Sequence, residues 1–121
     1  MRDDNKNIIA SKSKAFALRI IQFSRFLNTE KNEYIISKQI FRSGTSIGAN
    51  IRERKNAQSR LDFINKLSIA LKEADETAYW LELLVESEII PKEIFNSLYA
   101  DLDELIAILT SIIKTTKENC K

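Results

Sequence analysis

The clearest periodic pattern in the chain lies in residues 60–86, RLDFINKLSIALKEADETAYWLELLVE. Its apolar residues advance by threes and fours without a slip, at Leu61, Ile64, Leu67, Leu71, Ala74, Ala78, Leu81 and Val85. This spacing is typical of one face of a long α-helix and is close to a heptad seam. Such a face needs partner helices to cover it. The stretch therefore predicts a helix over about 59–87 that packs against other helices.

Three further segments show the same period and predict helices over about 6–28, 33–56 and 91–117. Their apolar stripes are Ile9, Phe16, Ile20, Phe23 and Leu27 in the first, Ile36, Ile40, Ile47 and Ile51 in the second, and Ile94, Leu98, Leu102, Leu105, Leu109 and Ile112 in the last. Pro91 suits the first turn of the last helix, where its missing N–H costs nothing. We predict an all-α protein whose residues 1–121 form one domain, an up-down-up-down antiparallel four-helix bundle.

Gly44 and Gly48 lie four residues apart beside the isoleucine stripe of the second segment. Glycine in a helix costs about 1 kcal/mol relative to alanine, so the segment could kink or break there. Alternatively, two positions without side chains could let another helix approach closely. Because the isoleucine stripe keeps its phase across both glycines, we expect one continuous helix.

The composition excludes most kinds of active site. The 121 residues include no histidine and one cysteine, Cys120, which rules out histidine-based catalysis, zinc clusters and intramolecular disulfides. No apolar run is long enough for a signal peptide or a membrane span, and a reducing cytoplasmic setting fits best. We expect no enzymatic activity, no cofactor and no metal.

An acidic cluster in the third segment is the one arrangement that could still hold a metal. It consists of Glu73, Asp75, Glu76 and Glu82. The histidines of the usual dimetal bundle motif are absent. We expect Glu73 and Glu76 instead to pair with Lys66 and Lys72 or with basic residues of the second segment.

The charge is divided along the chain. Residues 36–72 contain eight basic and two acidic residues, whereas residues 73–121 contain four and eleven. A line of cations on the second helix and the turn after it could follow a phosphate backbone. The alternatives are a solvated outer face, or neutralisation within the fold or across an oligomer. The nucleic-acid-binding candidates are Lys38, Arg42, Arg52, Arg54, Lys55, Arg60 and Lys66.

Several apolar residues fall outside the predicted stripes. A helix that is apolar on two sides usually has two neighbours, and a sizeable exposed patch marks a subunit interface. The alternative for Trp80 is that it covers one edge of the monomer core. The interface candidates are Leu18, Ile21, Ile69, Trp80, Leu83 and Leu84.

Three runs make the chain resemble a known bacterial family. They are FRSGTSIGANIRE at 41–53, DFINKLSIALKEA at 62–74 and ETAYWLELL at 76–84. Together they resemble the four-helix bundle proteins named for the 23S ribosomal RNA intervening sequence. Arg54 departs from the pattern, because many members have a small residue there.

The resemblance implies an up-down bundle that assembles as a homopentameric ring. It also implies kinship with the accessory variability determinant protein of diversity-generating retroelements, which binds nucleic acid and a reverse transcriptase through a basic surface. Asn50 and Glu53 match the family, and we expect them to bond between helices near the glycines. We therefore expect a non-enzymatic homo-oligomer that binds RNA or DNA non-specifically; the alternative is a scaffold for an acidic protein partner such as a reverse transcriptase. No membrane association is expected.

Overall fold

A computed structural model describes residues 3–119 of the chain, with side chains from residue 7 onward. Within this range the backbone forms four α-helices, and a single 3-10 turn over Arg54–Asn56 follows the second of them. The helices are α1 (Asp3–Glu30), α2 (Ile35–Glu53), α3 (Arg60–Glu86) and α4 (Lys92–Glu118). The prediction of an all-α fold is confirmed, whereas Cys120 lies outside the described residues.

The helices pack in a closed cycle. Helix α1 packs beside α2 and α4, and α3 packs beside the same two, while the diagonal pairs have no Cα atoms within 8 Å of each other in the described range. Two ion pairs fix the direction of α4 against α1, because Lys12 pairs with Glu104 and Arg19 with Asp101. Residue numbers therefore rise along α1 as they fall along α4. Contacts between α1 and α2 also run in opposite directions along the chain, since Ser24 meets Ser37 and Ser13 meets Gly48. The same holds for α3 and α4, where Glu82 meets Tyr99 and Arg60 meets Asn119, so these neighbouring helices are antiparallel.

The predicted stripes form the core, and helix α3 requires a correction. The buried residues include all five of the α1 stripe, and Ile40, Ile47 and Ile51 of α2. On α3, however, Leu61 is 67% exposed and Leu84 is fully buried. Helix α3 has two neighbours, so a second line that includes Ala70, Thr77 and Leu84 is buried beside the predicted one. Leu84 thus belongs to the core of the subunit and not to its outer surface.

Helix α2 is continuous across both glycines, as predicted. A Cβ atom built on Gly44 would lie 2.8 Å from Cγ1 of Ile20, and one on Gly48 would lie 3.3 Å from the carbonyl oxygen of Ser13. The missing side chains therefore let α1 approach closely. Two reciprocal hydrogen bonds also join α1 and α2 along this line of contact, or seam. The Ser24 hydroxyl donates to the Ser37 carbonyl (3.0 Å), and the Ser37 hydroxyl donates to the Ser24 carbonyl (3.1 Å).

The links close the helices with local hydrogen bonds. Ser59 caps α3, since its hydroxyl accepts from the amide of Asp62. Pro91 precedes the first residue of α4 and does not lie within its first turn. Asn32 and Glu88 adopt left-handed backbone angles, with φ of 52° and 63°. At Glu88 this conformation lets the amide of Ile89 donate to the carbonyl of Leu84, which ends α3.

Candidate nucleic-acid interface

Among the cations predicted to lie along α2, Arg42 is paired with acidic residues of α3. Its guanidinium bonds to Glu76 and, at 3.3 Å, to Glu73, both on α3. Trp80 also donates its indole N–H to Glu76, at 3.1 Å. Burial alone would raise the pKa of Glu76, but the bonds from Arg42 and Trp80 outweigh it and lower that pKa below its ordinary value. Arg42 therefore joins α2 to α3. The expected pairing of Glu73 and Glu76 with a basic residue of the second segment is confirmed.

A groove runs along the outside of the other seam, between α1 and α2. It has a volume of about 470 Å³. Small residues form part of its lining, with Ala10 and Ala17 on α1 and Gly48 and Ala49 on α2. The groove exists because the two helices touch where neither has a bulky side chain to fill the outer angle between them. Its cationic lining residues are Lys14, Arg52, Arg54 and Lys55.

The charge around this groove is largely uncompensated. Lys14, Arg52 and Lys55 make no ion pair with any residue in the described part of the chain. Arg54 is held in place, because one of its guanidinium nitrogens donates to the carbonyl of Ile51 at 2.8 Å. Lys12, two residues before Lys14, instead faces α4 and pairs with Glu104 at 3.1 Å. The groove is therefore positively charged, and its cations come from α1, from α2 and from the 3-10 turn that follows α2.

The structure thus brings together three of the seven predicted cations, namely Arg52, Arg54 and Lys55. Lys38 is exposed on α2, about 21 Å from Arg52 at 1.5 Å of rise per residue. Arg60 donates to the carbonyl of Asn119 at 2.5 Å and joins the start of α3 to the end of α4. Lys66 lies 4.0 Å from Asp62 on its own helix.

Lys14 was missed by the reasoning from sequence. Its place in the groove depends on the register of α1 against α2, which the contacts of Gly44 with Ile20 and of Gly48 with Ser13 set. No local pattern around Lys14 distinguishes it from Lys12. Gly48 could have identified Lys14 from the sequence, because a glycine that lets two helices approach closely also indicates how they are aligned.

The predicted interface residues differ widely in exposure. Leu18 and Ile69 are exposed, whereas Ile21, Trp80 and Leu83 are half-buried. Trp80 packs against the core and its N–H is bonded, which agrees with its alternative role as a cover for one edge of the monomer. Leu84 is fully buried and offers no surface to a second subunit. Ile35, Phe41, Leu61 and Tyr79 are exposed apolar residues that the prediction left out.

The family-matching residues Asn50 and Glu53 bond within their own segment. Asn50 donates its side-chain N–H to the carbonyl of Ser46 at 2.8 Å, and Asn56 donates to the carboxylate of Glu53 at 2.8 Å. Their described hydrogen bonds therefore stabilise the end of α2, and the expected bonds between helices are wrong. A hydroxyl pair joins α2 to α3 instead, with Ser43 and Thr77 at 2.9 Å.

A further polar contact joins α3 to α4. The Tyr99 hydroxyl donates to Glu82 at 3.1 Å. Burial raises the pKa of Tyr99, and the negative charges of Glu82, Asp103 and Asp75 raise it further. Within residues 7–119, whose side chains the structure describes, no three acidic side chains are placed to hold a metal ion. No helix in that range is long and apolar enough to cross a membrane.

Comparison with known proteins identifies relatives by family and by fold. A family model described as 23S rRNA-intervening sequence protein matches residues 5–111. A crystal structure from Bacteroides thetaiotaomicron VPI-5482, of a protein with unknown function from the S23 ribosomal protein family, is 56% identical. The match covers 91% of this chain and 98% of that one, with a TM-score of 0.89. No curated protein matches the chain.

Proposed function

Since this chain belongs to the 23S rRNA-intervening sequence protein family, we propose that it is a non-enzymatic, homo-oligomeric bundle that binds RNA or DNA without sequence preference. The groove between α1 and α2 is the proposed contact. The observation that supports it most directly is a set of cations without ion-pair partners in the described part of the chain, around a groove lined in part by small residues. These cations are Lys14, Arg52 and Lys55.

The chemistry of this groove suits phosphate better than base edges. Lysine and arginine that neutralise phosphates release condensed counterions, which gives affinity without sequence information. The groove contains no aspartate, glutamate, asparagine or glutamine among its lining residues, so the side-chain acceptors that it offers a base are limited to serine and threonine hydroxyls. Binding should therefore be strong at low salt, tolerant of sequence and steeply weakened by added salt.

A gel-shift or filter-binding assay at low salt tests the proposal with ribosomal RNA, single-stranded DNA and duplex DNA. We expect retention of at least one of these, and retention that is lost as salt is raised. If none of the three is retained at low salt, the proposed nucleic-acid function is wrong.

Self-association is the second part of the proposal. The exposed apolar side chains Leu18 and Ile69 support it, because they lie on the diagonal helices α1 and α3 and give each subunit an apolar residue on two sides for contact with neighbouring copies. The family resemblance favours a ring of five, in which weak contacts of each subunit with one strand add up. Light scattering should give five times the 13.9 kDa mass of the chain. A monomer at micromolar concentration would contradict the ring.

The competing function is that of a scaffold, in which an acidic protein partner, such as a reverse transcriptase, docks on the same cations. The exposed Leu61 and Tyr79 on α3 favour it, because the cores of protein interfaces are enriched in apolar and aromatic residues and no lining residue of the groove lies on that helix. A pull-down from the native host with and without nuclease separates the two functions. Partners lost after nuclease treatment support nucleic acid; partners retained support the scaffold. The lone cysteine suits a reducing compartment, and we place either function in the cytoplasm.

A further inference from the structure

An exposed aromatic ring lies on the same line of α2 as the basic groove. Phe41, Thr45, Gly48 and Arg52 follow one another by four, three and four residues, which places them on one side of α2, and Lys55 follows three residues later in the 3-10 turn. The last four of these line the groove. Phe41 therefore lies one turn beyond the groove, about 6 Å further along the helix axis.

This ring is available to a ligand. Phe41 is 44% exposed, and within the described range it stacks on no other aromatic ring. The register set by Gly44 against Ile20 puts the half-buried Ile21 of α1 at the same level. The outer side of the α1–α2 seam is thus cationic at one end and aromatic at the other. Thr45 lies between the two ends, and its hydroxyl donates to the carbonyl of Phe41.

A phosphate groove beside an exposed ring suits a strand whose bases are unpaired. Proteins that bind single strands without sequence preference combine a cationic track for the backbone with aromatic side chains on which bases stack. In a duplex the bases are stacked and paired within the helix, so the same ring has no base face to contact. The charge at one end and the ring at the other therefore favour the single strand.

Building on the proposed function, we infer that the site prefers single-stranded RNA or DNA to duplex. The backbone phosphates lie against Lys14, Arg52 and Lys55, and one unpaired base stacks on Phe41. The ring contributes the preference for the single strand, whereas the cations contribute affinity for either form.

The test is fluorescence anisotropy at low salt with a labelled oligothymidine and a duplex of the same length. The variants are Phe41→Ala and, as a matched control, Tyr79→Ala, which removes an exposed ring of 54% exposure from α3. We expect wild type to prefer the single strand and Phe41→Ala to weaken its binding about tenfold, with duplex binding unchanged. Tyr79→Ala should bind both ligands as wild type does.

A second variant reports stacking directly and does not depend on the folding of Phe41→Ala. The emission of the new indole in Phe41→Trp, measured in a Trp80→Phe background, should be quenched by oligothymidine and not by duplex. Equal affinity of wild type for the two ligands, equal weakening of both by Phe41→Ala, or an unquenched indole would overturn this inference. A smaller assembly mass for Phe41→Ala would also overturn it, because the ring would then be a subunit contact. Failure to bind any nucleic acid would instead refute the proposed function itself.

Discussion

Helix α2 meets its two neighbours across seams that differ at their outer edges. On the α3 side, Arg42 lies against the carboxylates of Glu73 and Glu76, so its charge is used within the subunit. On the α1 side, the edge is an open groove in which Arg52 and Lys55 meet Lys14 and no described carboxylate. The comparison shows that a cation on a periodic stripe is available to a ligand only where the neighbouring helix offers no acid. The acidic α3 supplies such partners, and the basic α1 does not supply them at this groove.

The largest expected effect comes from reversing charge at the open seam. We expect Arg52→Glu combined with Lys55→Glu to weaken oligonucleotide binding roughly 100-fold at low salt, because phosphate contacts are lost and repulsion replaces them. Both side chains are exposed, so the fold should be retained, as circular dichroism can check. The matched control is Arg42→Gln, which should change affinity by less than about threefold. Equal losses in the two variants would remove the distinction between the seams.

The next effect concerns how closely α1 approaches. A methyl group on Gly44 would meet the fully buried Ile20 at 2.8 Å, so we expect Gly44→Ala to lower the free energy of unfolding by about 2 kcal/mol. At Gly48 the closest contact is 3.3 Å, and the better helix propensity of alanine, about 1 kcal/mol, should offset it. Urea denaturation of both variants measures the difference. A Gly44→Ala protein as stable as Gly48→Ala would show that the seam is looser than described.

A smaller effect is expected at the hydroxyl pair of the α2–α3 seam. Thr77→Val removes the partner of the fully buried Ser43 hydroxyl, and we expect a loss of about 1 kcal/mol in the free energy of unfolding. Replacing both, as Ser43→Ala with Thr77→Val, leaves no unpaired hydroxyl and should cost less than the sum of the single changes. The coupling comes from chemical denaturation of the two single variants and the double variant. Strict additivity would mean that the hydroxyl pair contributes nothing across this seam.

The smallest effect is the contribution of Arg42 to stability and its dependence on pH. Arg42 and Glu73 or Glu76 are partly exposed, so Arg42→Gln should cost less than about 1 kcal/mol near neutral pH. The pKa of Glu76 is lowered in the folded state, so this stability is present above the ordinary glutamate pKa and is lost as pH falls through the lowered one. The difference between wild type and Arg42→Gln should therefore shrink below about pH 4. A difference that stays constant down to acidic pH would assign the effect to lost packing.

The periodic spacing of apolar residues was enough to predict the helices, because helix formation depends on neighbouring residues in the sequence. The stripes of α1 and α4 predicted their buried faces, since each has one dominant apolar side. The buried face of α3 was harder to predict. Two lines of small and apolar residues both fit a helical period, one through Leu81 and one through Leu84. Which residues are covered depends on the positions of α2 and α4, so the exposure of Leu61 and the burial of Leu84 were not predictable from spacing alone.

The candidate site was only partly predictable for a related reason. Arg52, Arg54 and Lys55 are neighbours in sequence, and their cluster is visible there. The neutralisation of Arg42 depends on carboxylates 31 and 34 residues away, and the inclusion of Lys14 depends on the register of α1. Composition identified the basic half of the chain, but only the packing of the helices separates cations that stabilise the bundle from those that face a groove.

The most direct test is the salt dependence of single-strand binding by wild type and by the triple variant Lys14→Gln, Arg52→Gln, Lys55→Gln. If these three cations each neutralise a phosphate, the slope of log affinity against log salt should be shallower in the variant by about two, at about 0.7 for each contact. The same measurement on Arg42→Gln should give the wild-type slope. Parallel slopes for wild type and the triple variant would contradict the assignment of phosphate binding to the groove between α1 and α2.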